Sequence, residues 1–203
     1  MSLQQKNRKQ SEQSLLKQKP VEKVILGIDP GTTITGYGVI KTVGAEPELI
    51  AIGSIDLSRY DDHYLKLKVI FDRTLGIIDE YHPDELAVEA PFYGKNVQSM
   101  LKLGRAQGAA IAAALSRSLP IFEYAPRKIK MSITGRGAAS KEQVASMLMR
   151  ILKFSNPEIK LDATDGLAAA LCHFYQTNNP AGDSGNKSWK EFMKKNPKRV
   201  RKQ

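Results

Sequence analysis

The chain has 203 residues, and its 31 basic against 21 acidic side chains give a formal charge of +10. That length suits one ordinary domain with tails, and a hydrophobic content of 41% is enough for a packed core. The single cysteine, Cys172, excludes an internal disulfide and a cysteine-built zinc site. No apolar run approaches a membrane span or a signal peptide, so the expectation is a soluble cytoplasmic protein.

Taken in chain order, residues 1–23 are polar, hold six basic and two acidic groups, and read as a flexible arm. Val24 to Asp29 (VILGID) is a short apolar run that stops at a carboxylate and a Pro-Gly turn, which predicts a buried strand. TGYGVIK (35–41) and LIAIGSI (49–55) predict two more strands, joined by short links as an antiparallel meander. Leu67, Phe71, Leu75 and Ile78 recur at helical spacing until His82-Pro83 breaks the pattern. ELAVEA (85–90) predicts a fourth strand, ending near Glu89.

Residues 96–118 predict a long alanine-rich helix whose Gly104, Gly108 and Ala112 are spaced by four. That stripe fits either close packing on the sheet or a subunit interface. PIFEY (120–124) is a fifth strand. A basic stretch follows, and then Ser140 to Gln143 has the form of a capping box, opening a helix with Val144, Leu148, Ile151 and Leu152 on one face. A last helix runs from about Asp162 to Tyr175, with Leu167, Leu171 and Phe174 inward. Residues 177–203, eight basic against two acidic, read as a second flexible tail. The order β-β-β-α-β-α-β-α-α implies a five-stranded mixed sheet flanked by helices, in one α/β domain over 24–176.

The tails hold all of the net charge, and the core is polarised beneath a neutral total. Residues 24–94 carry five basic and twelve acidic groups, whereas 95–160 carry twelve and three. Four acids stand at element ends: Asp29, Glu89, and the pair Asp162 and Asp165, three apart in the first turn of the last helix. Singly, each has a plain structural reading as a turn former, an edge residue, a cap or a first-turn charge. Gathered at one sheet edge, they would repel one another unless a cation joined them. An all-oxygen donor set points to Mg²⁺ or Mn²⁺, and two such ions about 4 Å apart suit phosphodiester hydrolysis.

The segment between these acids fits a polyanion. Phe92 and Tyr93 lie in a Pro/Gly-flanked loop, where an exposed ring can stack on bases or wedge between them, or else pack on the adjacent helix. Lys95, Asn96, Lys102, Arg105, Lys130, Arg136 and Lys141 are candidate DNA contacts, with Lys130 and the loop leading to Lys141 placed best.

Four segments in order resemble the RuvC family of Holliday-junction resolvases: ILGIDPGTTITGYGVI, VEAPFYGKNVQSMLKLGRAQG, FEYAPRKIKMSITGRGAASKEQV and LDATDGLAAALCH. The resemblance spans 24–176. It implies an RNase H-like fold, a homodimer, and a Mg²⁺-dependent endonuclease, with two ions per site, that resolves four-way DNA junctions by paired symmetric nicks beside a branch-migration helicase complex. It also implies that Asp29, Glu89, Asp162 and Asp165 are the catalytic metal ligands, that Phe92 contacts bases, and that Lys130 and Lys141 contact phosphates. Ala90-Pro91 stiffens the loop before Phe92, and Gly166 follows Asp165 inside a helix, at a cost of about 1 kcal/mol unless close packing requires it.

Three other readings stand beside this one: an RNase H-like nuclease of another branched DNA or RNA, a non-catalytic junction-binding module, and an actin-like ATPase. The last needs a second large lobe that the core residues cannot supply. His63, His82 and His173 read as surface or packing residues, and Cys172 as a small buried hydrophobe.

Overall fold

Alternation along the first strand sets the architecture. In β1 (Glu22–Asp29), Leu26 and Ile28 enter one apolar cluster while Ile25 enters a second on the opposite face. A computed structural model of the chain describes residues 22–44, 46–91, 96–155 and 159–178. Most of both basic arms, and Phe92, Tyr93 and Lys95, lie outside the described residues. β1 begins two residues inside the expected N-terminal arm.

β2 (Ile34–Val43) and β3 (Glu46–Asp56) complete the expected antiparallel meander. Next come α1 (His63–Tyr81), β4 (Glu85–Glu89), α2 (Val97–Leu115) and β5 (Ile121–Tyr124). The sheet order is β3-β2-β1-β4-β5, with β4 parallel to both β1 and β5. This is the mixed five-stranded arrangement anticipated from the sequence.

One helix was not anticipated. Residues Pro126–Thr134 form α3, inside the segment read only as a basic stretch. Pro126 at its first position, Ile129 and Ile133 one turn apart and buried, and Gly135 in the left-handed conformation at its end are the signals that mark it. α4 (Lys141–Ile151) begins at the expected capping box, with both reciprocal bonds of Ser140 and Gln143 present. α5 (Leu161–Asn178) is buried at every residue from Ala163 to Phe174, so it has no single inward face.

α1 and α2 cover the sheet face that holds Leu26, Ile28, Leu86 and Val88. α3, α4 and α5 cover the face that holds Ile25, Ala87 and Tyr124. α5 lies so close to the sheet that a Cβ on Gly166 would stand 2.5 Å from the Gly36 carbonyl oxygen. That approach accounts for a glycine inside the helix. Among the described residues, no helix is long and apolar enough to cross a membrane.

Candidate active site

The register of β1 and β4 brings two acids together. Ile28 pairs with Val88 in the parallel ladder, so Asp29 and Glu89 follow one residue later at the same strand ends. Both continue the alternation that faces α5: 25, 27, 29 on β1 and 85, 87, 89 on β4. α5 starts at this sheet edge, and its first turns supply Asp162 and Asp165. Asp29, Glu89 and Asp165 line one cavity of about 460 Å³ together with Lys130 and Lys141. The carboxyl ends of parallel strands, where the chain direction switches across the sheet, are a usual place for a site in such folds.

Burial and mutual repulsion mark these acids. Desolvation, followed by the charge of Asp165, pushes the Asp29 carboxyl up to about 6 against the pull of Lys141. Desolvation, then Asp29 and Asp165, pushes Glu89 up to about 8. Asp165 is also raised by burial, although Lys141 opposes the shift. Burial works against the Lys141 ammonium, but Asp165 and Asp162 outweigh it and hold its proton more tightly than usual.

Lys141 bridges the two acids of α5, with Nζ 2.5 Å from Oδ2 of Asp165 and 3.2 Å from Oδ1 of Asp162. Oδ2 of Asp165 is buried, and the cation that faces it is this ammonium. Among the described residues, no three acidic, histidine or cysteine side chains already enclose one point as a metal cage. The chemistry of the set nonetheless suits a hard divalent cation. Its donors are all oxygens, three of its carboxyls have raised pKa values that a cation would lower, and the buried Oδ2 of Asp165 already faces an ammonium.

The other expected contacts divide. Lys130 is half-buried in the cavity wall, and Arg127, which also lines it, packs against Gly137, where a Cβ would meet Arg127 Cγ at 2.6 Å. Lys102, Arg105 and Arg136 are exposed and outside every ion pair formed among the described residues. Asn96 is a helix cap: its Oδ1 accepts a hydrogen bond from the Ser99 amide at 3.1 Å. Sequence reasoning missed Gln107, whose side-chain amide donates to the Glu89 carbonyl at 3.4 Å and to Glu123 at 3.1 Å. Its signal was a lone amide on the buried alanine face of α2.

The matched family model is that of the crossover junction endodeoxyribonuclease RuvC, over residues 25–173. The chain belongs to the RuvC family. It is 64% identical to the RuvC of Bacteroides fragilis over 182 residues, which cover 89% of this chain and 97% of that one. It is 58% identical to the RuvC of Porphyromonas gingivalis over 90% of this chain and 99% of that one. Among solved structures, Thermus thermophilus RuvC in complex with a Holliday junction substrate superposes with a TM-score of 0.71 at 30% identity, over 77% of this chain and 95% of that one. The yeast mitochondrial Holliday junction resolvase Ydc2, at 15% identity and a TM-score of 0.55, shares the fold over 76% of this chain and 79% of that one. The RuvC resemblance and the RNase H-like fold expected from the sequence both hold.

Proposed function

We propose that this RuvC chain is a Mg²⁺-dependent structure-selective endodeoxyribonuclease that resolves four-way DNA junctions by paired symmetric nicks. The observation that carries this reading is the convergence of Asp29, Glu89 and Asp165 on one cavity, with Lys141 and Lys130 in its wall. The family's nucleases use a divalent metal. Asp29, Glu89 and Asp165, with Asp162 as a further ligand, would hold two Mg²⁺ ions, or Mn²⁺ in their place. Bound there, the metal supplies an activated water and counter-charge for the leaving oxygen.

The chain's own residues do the rest. Lys141, in the cavity wall, would place its charge near the scissile phosphate, while Lys130 would hold an adjacent phosphate. Lys95, Asn96, Lys102, Arg105 and Arg136 hold the arms by their backbones, which sets position rather than sequence preference. Phe92 and Tyr93, three and four residues after Glu89 in the sequence, would unstack bases at the crossover, at a cost on the order of a few kcal/mol recovered in contacts with the opened junction.

A two-fold symmetric junction requires two identical sites, hence a homodimer. The stripe of Gly104, Gly108 and Ala112 supports α2 as its interface. A Cβ on Gly104 or Gly108 would meet nothing within 4 Å, and Leu101 and Leu115 are exposed on the same helix. The stripe therefore does not serve packing on the sheet. The enzyme would act on chromosomal DNA in the cytoplasm, beside a branch-migration helicase complex, as the family resemblance implies.

The test is a synthetic immobile four-way junction with Mg²⁺, the nicks being mapped on each strand. Paired nicks of like polarity are expected. Asp165→Asn should bind the junction as the parent does and leave it uncut. Full cutting by that variant would overturn the assignment.

A further inference from the structure

α5 carries two of the four acids, and glycines form its closest approach to the sheet. At that approach Gly27, Gly36 and Gly38 lie against Gly166, Leu167 and Ala170, while Leu167, Leu171 and Phe174 share an apolar cluster with Ile25 and Ile40. The glycines set how closely the helix approaches. Apolar packing is non-directional, so it fixes the axial position of the helix less sharply than hydrogen bonds do. Asp165 must nevertheless meet Asp29 and Glu89 within a fraction of an ångström for the three to act together.

At the other end of the same helix stands a chain of directional bonds. His173 is fully buried. Its Nε2 lies 2.6 Å from Oε2 of Glu85, and its Nδ1 lies 2.6 Å from the hydroxyl of Tyr124. The other oxygen of Glu85 accepts a hydrogen bond from Nζ of Lys23 at 2.6 Å. A carboxylate only accepts, so Nε2 carries the ring proton, and the bare Nδ1 accepts from Tyr124. Phe122 covers the imidazole, with ring centroids 4.3 Å apart. Every polar atom of the ring is satisfied in one orientation.

Each strand in this chain also bears on the acids. Lys23 lies on β1 six residues before Asp29, and Glu85 lies on β4 four residues before Glu89. Tyr124 is paired with Glu89 in the β4–β5 ladder, and His173 is eight residues after Asp165 on α5. All three strand residues share the sheet face that the acids use, by the same two-residue alternation.

We propose that the buried relay Lys23–Glu85–His173–Tyr124 fixes the axial position of α5 on the sheet, making His173, Glu85 and Tyr124 positioning residues for the acidic site. The relay touches neither substrate nor metal. It acts through the helix, about 12 Å from Asp165 along the axis at 1.5 Å per residue. This inference rests on the reading of the acids as a metal-dependent nuclease site.

The test uses the full chain. Tyr124→Phe removes one hydroxyl from the relay and keeps the ring. Single-turnover cleavage of the junction, at saturating junction and Mg²⁺, should slow about tenfold, the scale of a sub-ångström misplacement of reacting groups. Junction affinity in Ca²⁺ should stay within about twofold, which separates positioning from binding. Mn²⁺ titration of the protein alone, read by electron paramagnetic resonance, should show a half-saturation raised several-fold. Glu85→Leu should behave like Tyr124→Phe. Glu85→Gln, which can still accept from His173, should retain a larger share of both rate and Mn²⁺ affinity.

Ile77→Ala, in the core on the opposite face, supplies a control for lost stability alone. If Tyr124→Phe and Glu85→Leu change rate and Mn²⁺ affinity no more than Ile77→Ala does at a matched fall in Tm, the relay is only structural and the inference fails. If the parent chain leaves the junction uncut, the nuclease reading fails separately, and the Mn²⁺ curves still decide whether the relay sets the acids.

Discussion

Nζ of Lys141 stands 2.5 Å from Oδ2 of Asp165, a cation set directly against a buried carboxylate. The Lys141 side chain is about half exposed and that of Asp165 only 12%. Loss of the ammonium therefore strands the acid rather than the base. In Lys141→Met, Asp165 loses its cationic partner and Asp29 and Glu89 lose an attractive charge. In chelator, this variant should be less stable by about 1–2 kcal/mol, the cost of one poorly satisfied buried group. Added Mg²⁺ should raise its Tm by more than it raises that of the parent, because the metal replaces the missing charge. Thermal unfolding with and without Mg²⁺ measures both. Cleavage should be lost although metal binding is kept.

A Cβ on Gly166 would come within 2.6 Å of both the Gly36 carbonyl carbon and the Tyr37 Cα, backbone atoms that cannot rotate away. Gly166→Ala should therefore cost about 3 kcal/mol, the upper end for overpacking, and displace Asp165 beside it. Gly104→Ala gives the opposite result in the monomer. Its Cβ meets nothing within 4 Å, and alanine favours a helix over glycine by up to about 1 kcal/mol. Denaturant midpoints of the two variants, each made in the Leu101→Glu background so that the chain is monomeric, should move in opposite directions.

If the exposed face of α2 is the subunit contact, charge there should separate the subunits without unfolding them. Leu101 is 51% exposed in the single chain, so Leu101→Glu disturbs little of its own fold. Sedimentation should show a dimer for the parent and a monomer for the variant. Junction cutting should change from paired nicks to slow, unpaired ones. A dimer that survives Leu101→Glu and Gly108→Arg together would place the contact elsewhere.

Much of this site is legible in the sequence because it depends on local rules. A carboxylate that closes an apolar run before Pro-Gly, as Asp29 does, marks a strand end wherever the strand lies. Ser140 and Gln143 specify a helix start from four residues alone. What stayed hidden is non-local or weakly patterned. α3 shows three apolar residues in nine, of which only Ile129 and Ile133 stand at helical spacing, so its period is too faint to separate from a loop. The bond between His173 and Glu85 spans 88 residues of chain, and nothing near either residue marks the other. The direction of the Gly104 stripe depends on which alanines of α2 face the sheet, and a helix with alanine on all sides does not disclose that. α5, buried all round, shows why seeking one inward face understated its burial.

The raised carboxyls also predict how stability responds to pH. Glu89 has an ordinary value of 4.5 and is pushed up to about 8 by burial, then by Asp29 and Asp165. Between those values the folded chain binds more protons than the unfolded one, so stability falls as pH rises through that window. Asp29, raised from 3.8 to about 6, adds to the loss over the lower part of the range. His173 acts with the opposite sign. Burial lowers its pKa from 6.5, although the Glu85 contact works against this, so acid below about 6.5 favours the unfolded chain. Denaturant midpoints in chelator at pH 5.0 and 8.5 separate the contributions when the parent is compared with Glu89→Gln. The neutral amide removes the alkaline loss and leaves the acid side unchanged, so the variant should be the more stable of the two at pH 8.5. Mg²⁺ at pH 8.5 should stabilise the parent, whose raised Asp29, Glu89 and Asp165 are the groups a cation relieves, and should stabilise Glu89→Gln much less. Equal stabilisation of both would mean that Glu89 stands outside the metal site.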